Sequence, residues 1–184
     1  QLVDTGDSLK NNKIDKQYIT VKSLKALKQL IKDIGKYDIL SIDLETTSVD
    51  PIKAEIVGIS LSFKPDTGFY IPIVYPEKKN NNFGDDDLNV CLSLLKDILE
   101  NSKVRKIGQN IKYDSLIFSR FGINITGIYF DTMIAAHILN PSTRSYKLDA
   151  LSLEYLNYSM VPIEDLIGKG KDQITMDHVP LDHV

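Results

Sequence analysis

Asp43 and Glu45 stand two residues apart in ILSIDLETTSVDP (residues 39–51), a run that otherwise reads as a buried strand. Residues i and i+2 of a strand project from the same face, so the two carboxylates point together while Ile42 and Leu44 turn the other way into packing. Carboxylates this close in a partly desolvated place repel, and they stay ionised only if a cation or hydrogen-bond donors offset the cost. A divalent ion does so most simply, and an all-oxygen ligand set suits magnesium or manganese. A second acidic feature is GQNIKYD (108–114), where Asn110 is placed to cap a helix and Asp114 follows one turn later on nearly the same face. Each feature also has an ordinary reading: acids in water at a strand end, and a capped first turn whose acid favours the helix dipole. Their combination is what points to a site, because strand ends and helix starts gather on one rim of an α/β sheet.

The elements that must hold these residues follow from periodicity. YITV (18–21) reads as a short strand. Ser23 caps a helix with Leu24, Leu27, Leu30, Ile31 and Ile34 on one face, ended by Gly35. Runs 38–45, 55–63 and 68–74, joined by DPIKA and KPDTG, predict an antiparallel meander. Beyond a polar insert (77–86), DLNVCLSLLKDILE predicts an amphipathic helix, VRKIG a strand, and 110–121 a helix closed by Gly122. GIYFD predicts a further strand, and DTMIAAHIL and KLDALSLEYL two more helices. Strands followed by alternating helices and strands make a mixed α/β sheet flanked by helices. Residues 1–16 read as a tail or linker and 17–184 as one domain, whose last stretch (168–184) is polar and has no clear terminator.

Composition narrows the function classes. A chain of 184 residues that is 42% hydrophobic can bury a sizeable core without a disulfide or structural zinc. Its net charge of −3 excludes gripping nucleic acid by a general positive field, so a polyanion must be met by a local groove or by metal ions. The lone cysteine, Cys91, lies in an apolar run and reads as helix interior in a reducing compartment. No apolar run approaches membrane-spanning length, so a soluble protein without a membrane partner is expected. Other candidates carry less: His137 reads as a core or groove histidine, Asp85–Asp87 as a helix cap within a solvated charge cluster, and GKGK (168–171) lacks the strand and helix of a phosphate loop.

VGISLSF, GFYIPI, KIGQNIKYD, GIYFDTMIAAHILN, LDALSLEYL and IGKGKDQIT follow in order from about residue 18. With the two acidic motifs they resemble the 3′→5′ proofreading exonuclease domain of family A DNA polymerases, within the DEDD superfamily. The resemblance implies an RNase H-like fold and in-line hydrolysis of the terminal phosphodiester of a single-stranded DNA 3′ end, with two Mg2+ or Mn2+ ions. Asp43 would bridge both ions, Glu45 would hold one and Asp114 the other. It further implies a wedge at Val49 and Ile163 and contacts to sugar and phosphates near Thr46, Gln109, Asn110 and Tyr113; Lys112 and Arg144 add possible phosphate contacts. A polymerase domain is expected downstream in the parent chain. The family's third motif, Tyr-x-x-x-Asp, is expected just past Val184, so the domain reads as truncated, with an exposed apolar face where that segment belongs and little turnover by the fragment alone. The Lys/Asn/Ile-rich wording is most similar to the apicoplast branch in malaria parasites, implying a plastid location. The competing expectation is a non-catalytic exonuclease-like scaffold that holds DNA or supports the polymerase domain.

Overall fold

A computed structural model describes residues 16–84 and 86–183. Six strands form one sheet: β1 (Gln17–Thr20), β2 (Ile39–Thr46), β3 (Ile56–Lys64), β4 (Thr67–Pro72), β5 (Arg105–Gly108) and β6 (Ile128–Asp131), ordered β1-β4-β3-β2-β5-β6. The β2–β3–β4 meander is antiparallel, and β5 and β6 add in parallel beside β2. β1 closes the other edge, parallel to β4. Short connections force the antiparallel pairs, whereas each parallel pair is bridged by a crossover containing a helix. The helices are α1 (Leu24–Ile34), α2 (Asp87–Leu99), α3 (Ile111–Arg120), α4 (Thr132–Leu139), α5 (Leu148–Leu156) and α6 (Ile163–Ile167).

One face of the sheet makes the core. Leu40, Ile42 and Leu44 of β2, Ile59 and Leu61 of β3 and Ile71 of β4 meet Leu27, Leu30 and Ile34 of α1 and Cys91, Leu95 and Leu99 of α2. Burial pushes the Cys91 thiol up to about 12, so it is an inert core group. Ser23 and Asp86 cap α1 and α2 through the amides of Ala26 and Asn89.

Four features correct or add to the sequence reading. Asp87 is buried rather than solvated: Lys78 pairs with it at 2.7 Å, and the amides of Asn82 and Phe83 donate to it. The polar insert is thereby tied down around one paired carboxylate; Asp85 lies outside the described residues. Lys106, on β5 opposite Leu40, is sealed from solvent at 0% exposure and donates to the Asn101 carbonyl at 2.7 Å. Desolvation pushes it down to about 8. The polar tail folds back, with Met176 and Val179 buried against Val57. His137 is exposed on α4, edge-on to Tyr146.

α4 and α5 cover little. Ile138, Leu139 and Leu156 face outward beside an apolar groove of about 390 Å³ lined by Phe130, Leu151 and Tyr155. Among the described residues no helix is long and apolar enough to cross a membrane.

Gly127, which leads into β6, has φ +67°, and a Cβ there would lie 2.8 Å from the carbonyl oxygens of Ser102 and Val104. Gly127→Ala is therefore expected to cost about 2 kcal/mol or more, read as a lower midpoint in urea denaturation.

Candidate active site

The opposite face of β2 carries the acids. Asp43 stands across from Ser60 and Glu45 across from Gly58, and a register shift follows at Glu45/Thr46. Such a bulge ends the pairing and re-aims the chain into the 47–55 loop. Asp114, on the first turn of α3, is 2% exposed, and its Oδ1 accepts the backbone N–H of Leu44 at 3.1 Å. Leu44 lies between Asp43 and Glu45 in sequence, so this bond fixes Asp114 to the strand that bears them, where it feels the charge of Asp43.

The electrostatics agree. Desolvation, eased by the Leu44 N–H bond, pushes Asp43 up to about 6. Desolvation and then repulsion by Asp43 push Glu45 up to about 7. Asp114 rises furthest, to about 8, by desolvation and then by the charge of Asp43. Asp43 is crowded by protein yet the residue is exposed to solvent. Among the described residues the acids do not close into a ready-made metal cluster. They are linked pairwise instead, with one Asp114 oxygen given to the backbone.

A divalent cation nevertheless fits this donor set. Three oxygen-bearing acids, all costly to ionise because of desolvation and two of them also because of the Asp43 charge, are what hard cations bind.

α3 also grips the loop that follows β2. The hydroxyls of Tyr113 and Thr46 lie 2.7 Å apart, and both reach the Ser48 carbonyl. At the far end of α3, Arg120 donates to the carbonyls of Pro51 and Ala54 and pairs with Glu55 at 3.2 Å. Held between these clamps, Val49 projects from the loop at 95% exposure. Ile163 is exposed on α6, while Lys112 on α3 and Arg144 on the α4–α5 loop are solvent-facing.

Of the expected contact residues Gln109 and Asn110, the first is engaged by the protein itself. Gln109 donates to the Tyr146 carbonyl at 2.7 Å and accepts from the Thr132 hydroxyl. Asn110 does not cap α3 through its side chain. It sits in the left-handed region (φ 55°, ψ 44°), where Asn is tolerated far better than most residues.

The sequence reading missed Tyr70 and Asp131. Tyr70 is raised by burial and then by Glu45, so the phenol stays neutral beside that acid. Room for its ring comes from Gly58, where a Cβ would fall 2.1 Å from the Tyr70 hydroxyl. The signal was strand parity, which puts Asp43, Ser60 and Tyr70 in one row across three strands. Asp131 is buried at the end of β6 and accepts backbone N–H groups from the starts of both α3 and α4.

The matches to known proteins follow the same architecture. A family profile described as 3'-5' exonuclease matches residues 18–181. DNA polymerase I of Rhizobium leguminosarum is 33% identical over 180 residues, covering 90% of this chain and 18% of that protein. The chain thus spans under a fifth of that relative's length. Escherichia coli RNase D shares the fold with a TM-score of 0.62 at 18% identity, over 81% of this chain and 36% of that one. Brucella melitensis NrnC with bound Mg2+ does so with a TM-score of 0.56 at 20% identity, over 79% and 62%. The six-stranded mixed sheet is accordingly of the RNase H-like exonuclease kind, and the chain belongs to the 3'-5' exonuclease domain family of DNA polymerase I.

Proposed function

We propose that this domain is a metal-dependent proofreading exonuclease that removes nucleoside monophosphates from a single-stranded or frayed DNA 3′ end. The observation that carries the reading is the gathering of Asp114 and Glu45 around Asp43, with Asp114 bonded to the Leu44 amide; all three acids are raised by desolvation, and Glu45 and Asp114 also by the charge of Asp43, which a divalent ion would relieve. Two Mg2+ or Mn2+ ions held by these three residues supply Lewis-acid stabilisation of charge on the oxygens of the reacting phosphodiester. The protein's own share is positional. β2 aims Asp43 and Glu45 from one face and ends in Thr46, α3 presents Asp114, and the clamped loop carries Val49. Lys112, Tyr113, Gln109, Asn110, Arg144 and Ile163 surround the strand's path in this reading, with exposed apolar side chains holding bases by apolar contact rather than by sequence readout.

The proposal extends to a polymerase domain in the same polypeptide and, on the Lys/Asn/Ile-rich resemblance, to a plastid, which a fluorescent fusion tests. For the activity itself, the intact parent protein is given matched 3′-labelled DNA and RNA oligonucleotides with Mg2+ or Mn2+. The expected result is stepwise loss of monophosphates from DNA, halted by chelator and restored by added metal. Preference for the RNA end would reassign the substrate, and metal-independent DNA holding without cleavage would favour the scaffold.

A further inference from the structure

Asp131 spends both carboxylate oxygens on two helices that start 21 residues apart. Its Oδ2 accepts the Ile111 N–H at 2.8 Å, and its Oδ1 accepts those of Asn110 (3.2 Å), Met133 (2.9 Å) and Ile134 (3.2 Å). For α4 this is an ordinary cap, supplied by the preceding residue. For α3 it is a loan from another strand, since Asn110, the local cap residue, makes no side-chain bond to the helix start. Sheet register makes the loan possible, because β5 and β6 pair Gly108 with Asp131 two residues before Asn110. The passage is tight: a Cβ on Gly108 would lie 3.1 Å from the Ile42 carbonyl oxygen and 3.2 Å from the Ile111 side chain. A continuous path therefore runs from Asp131 to the first turn of α3, to Asp114, and to the Leu44 amide between Asp43 and Glu45.

We propose that Asp131 is a positioning residue for the carboxylate site, setting where α3 begins and hence where Asp114 stands against Asp43 and Glu45; its bearing on catalysis rests on the nuclease reading above. Asn in its place tests this sharply. An amide keeps one acceptor oxygen and replaces the other by a donor. Three of the four N–H groups converge on Oδ1, so the Asn oxygen turns to them and its NH2 faces the Ile111 N–H. The start of α3 loosens while that of α4 holds.

The experiment uses the intact parent protein, its Asp131→Asn and Asp131→Ala variants, hydrogen–deuterium exchange of peptides 108–116 and 131–137, and the Mg2+ dependence of single-stranded DNA degradation. With Asn, exchange in 108–116 is expected to quicken about fivefold, as a lost hydrogen bond of about 1 kcal/mol implies, with 131–137 unchanged. With Ala, both quicken. The Mg2+ concentration for half-maximal rate rises about tenfold in Asp131→Asn, with turnover recovering at high Mg2+. Unchanged exchange in 108–116 overturns the proposal. So does a lowered melting temperature with wild-type Mg2+ dependence, which is what a purely structural residue gives. A wild-type parent that degrades no DNA defeats the nuclease reading alone, because the exchange pattern still decides whether Asp131 holds α3.

Discussion

Asp43→Asn combined with Glu45→Gln is expected to lower exonuclease turnover of the intact parent on the order of 10³-fold. Lewis-acid stabilisation of a reacting phosphodiester is worth several kcal/mol, and each ~1.4 kcal/mol is a factor of ten in rate. Both changes keep shape and remove charge, so the β2 ladder with Ser60 and Gly58 stays intact. Folding in the absence of metal should not suffer, because burial already raises the cost of ionising both acids. The measurement is release of 3′-terminal nucleotides under saturating Mg2+, beside the melting temperature of each protein. Digestion at the wild-type rate by the double variant would remove these residues from the chemistry.

Asp114 carries the second large effect, on stability. Its native carboxyl is raised to about 8 by burial and then by Asp43, against an ordinary value of 3.8. A raised native value means that the folded chain binds the proton more tightly than the unfolded chain does. Its contribution is therefore fully present below about pH 4 and is lost as the pH climbs through about 8. At 2% exposure, with each unit worth ~1.4 kcal/mol, the loss amounts to several kcal/mol over that window. Other groups titrate too, so the readout is the difference between wild type and Asp114→Asn in urea titrations at pH 5, 7 and 9 with chelator present. Asn can still accept the Leu44 N–H, and the variant should become progressively the more stable protein as pH rises. Added Mn2+ should stabilise wild type at pH 9 and leave the variant nearly unmoved. A difference that stays flat across the window would mean that Asp114 is not strained by its charge.

Local pattern carried most of the fold. Ser23 before a 3.6-residue repeat announces α1, Asp86 does the same for α2, and two short turn-rich connections dictate the β2–β3–β4 meander. These signals act within one or two turns of chain, where sequence spacing is spatial spacing. Half of the site was legible for the same reason: the two-residue strand period puts Asp43 and Glu45 on one face whatever the rest of the molecule does.

What decided the remainder was pairing between segments far apart in sequence, which leaves no local period. Asn110 was legible as a cap and is instead a left-handed residue, because Asp131 arrives through the β5–β6 register to satisfy α3. Asp87 looked solvated until the fold brought Lys78 and two backbone amides to it, and the burial of Lys106 has no local signal at all, since neighbouring elements close over it. Tyr70 needed the missing Cβ of Gly58, on the neighbouring strand, to come near Glu45. Sequence alone thus determined the acids and the elements that bear them. Tertiary structure decided that Asp114 reaches the Leu44 amide between the other two, because a hydrogen bond spanning 70 residues exists only once the sheet and α3 have packed.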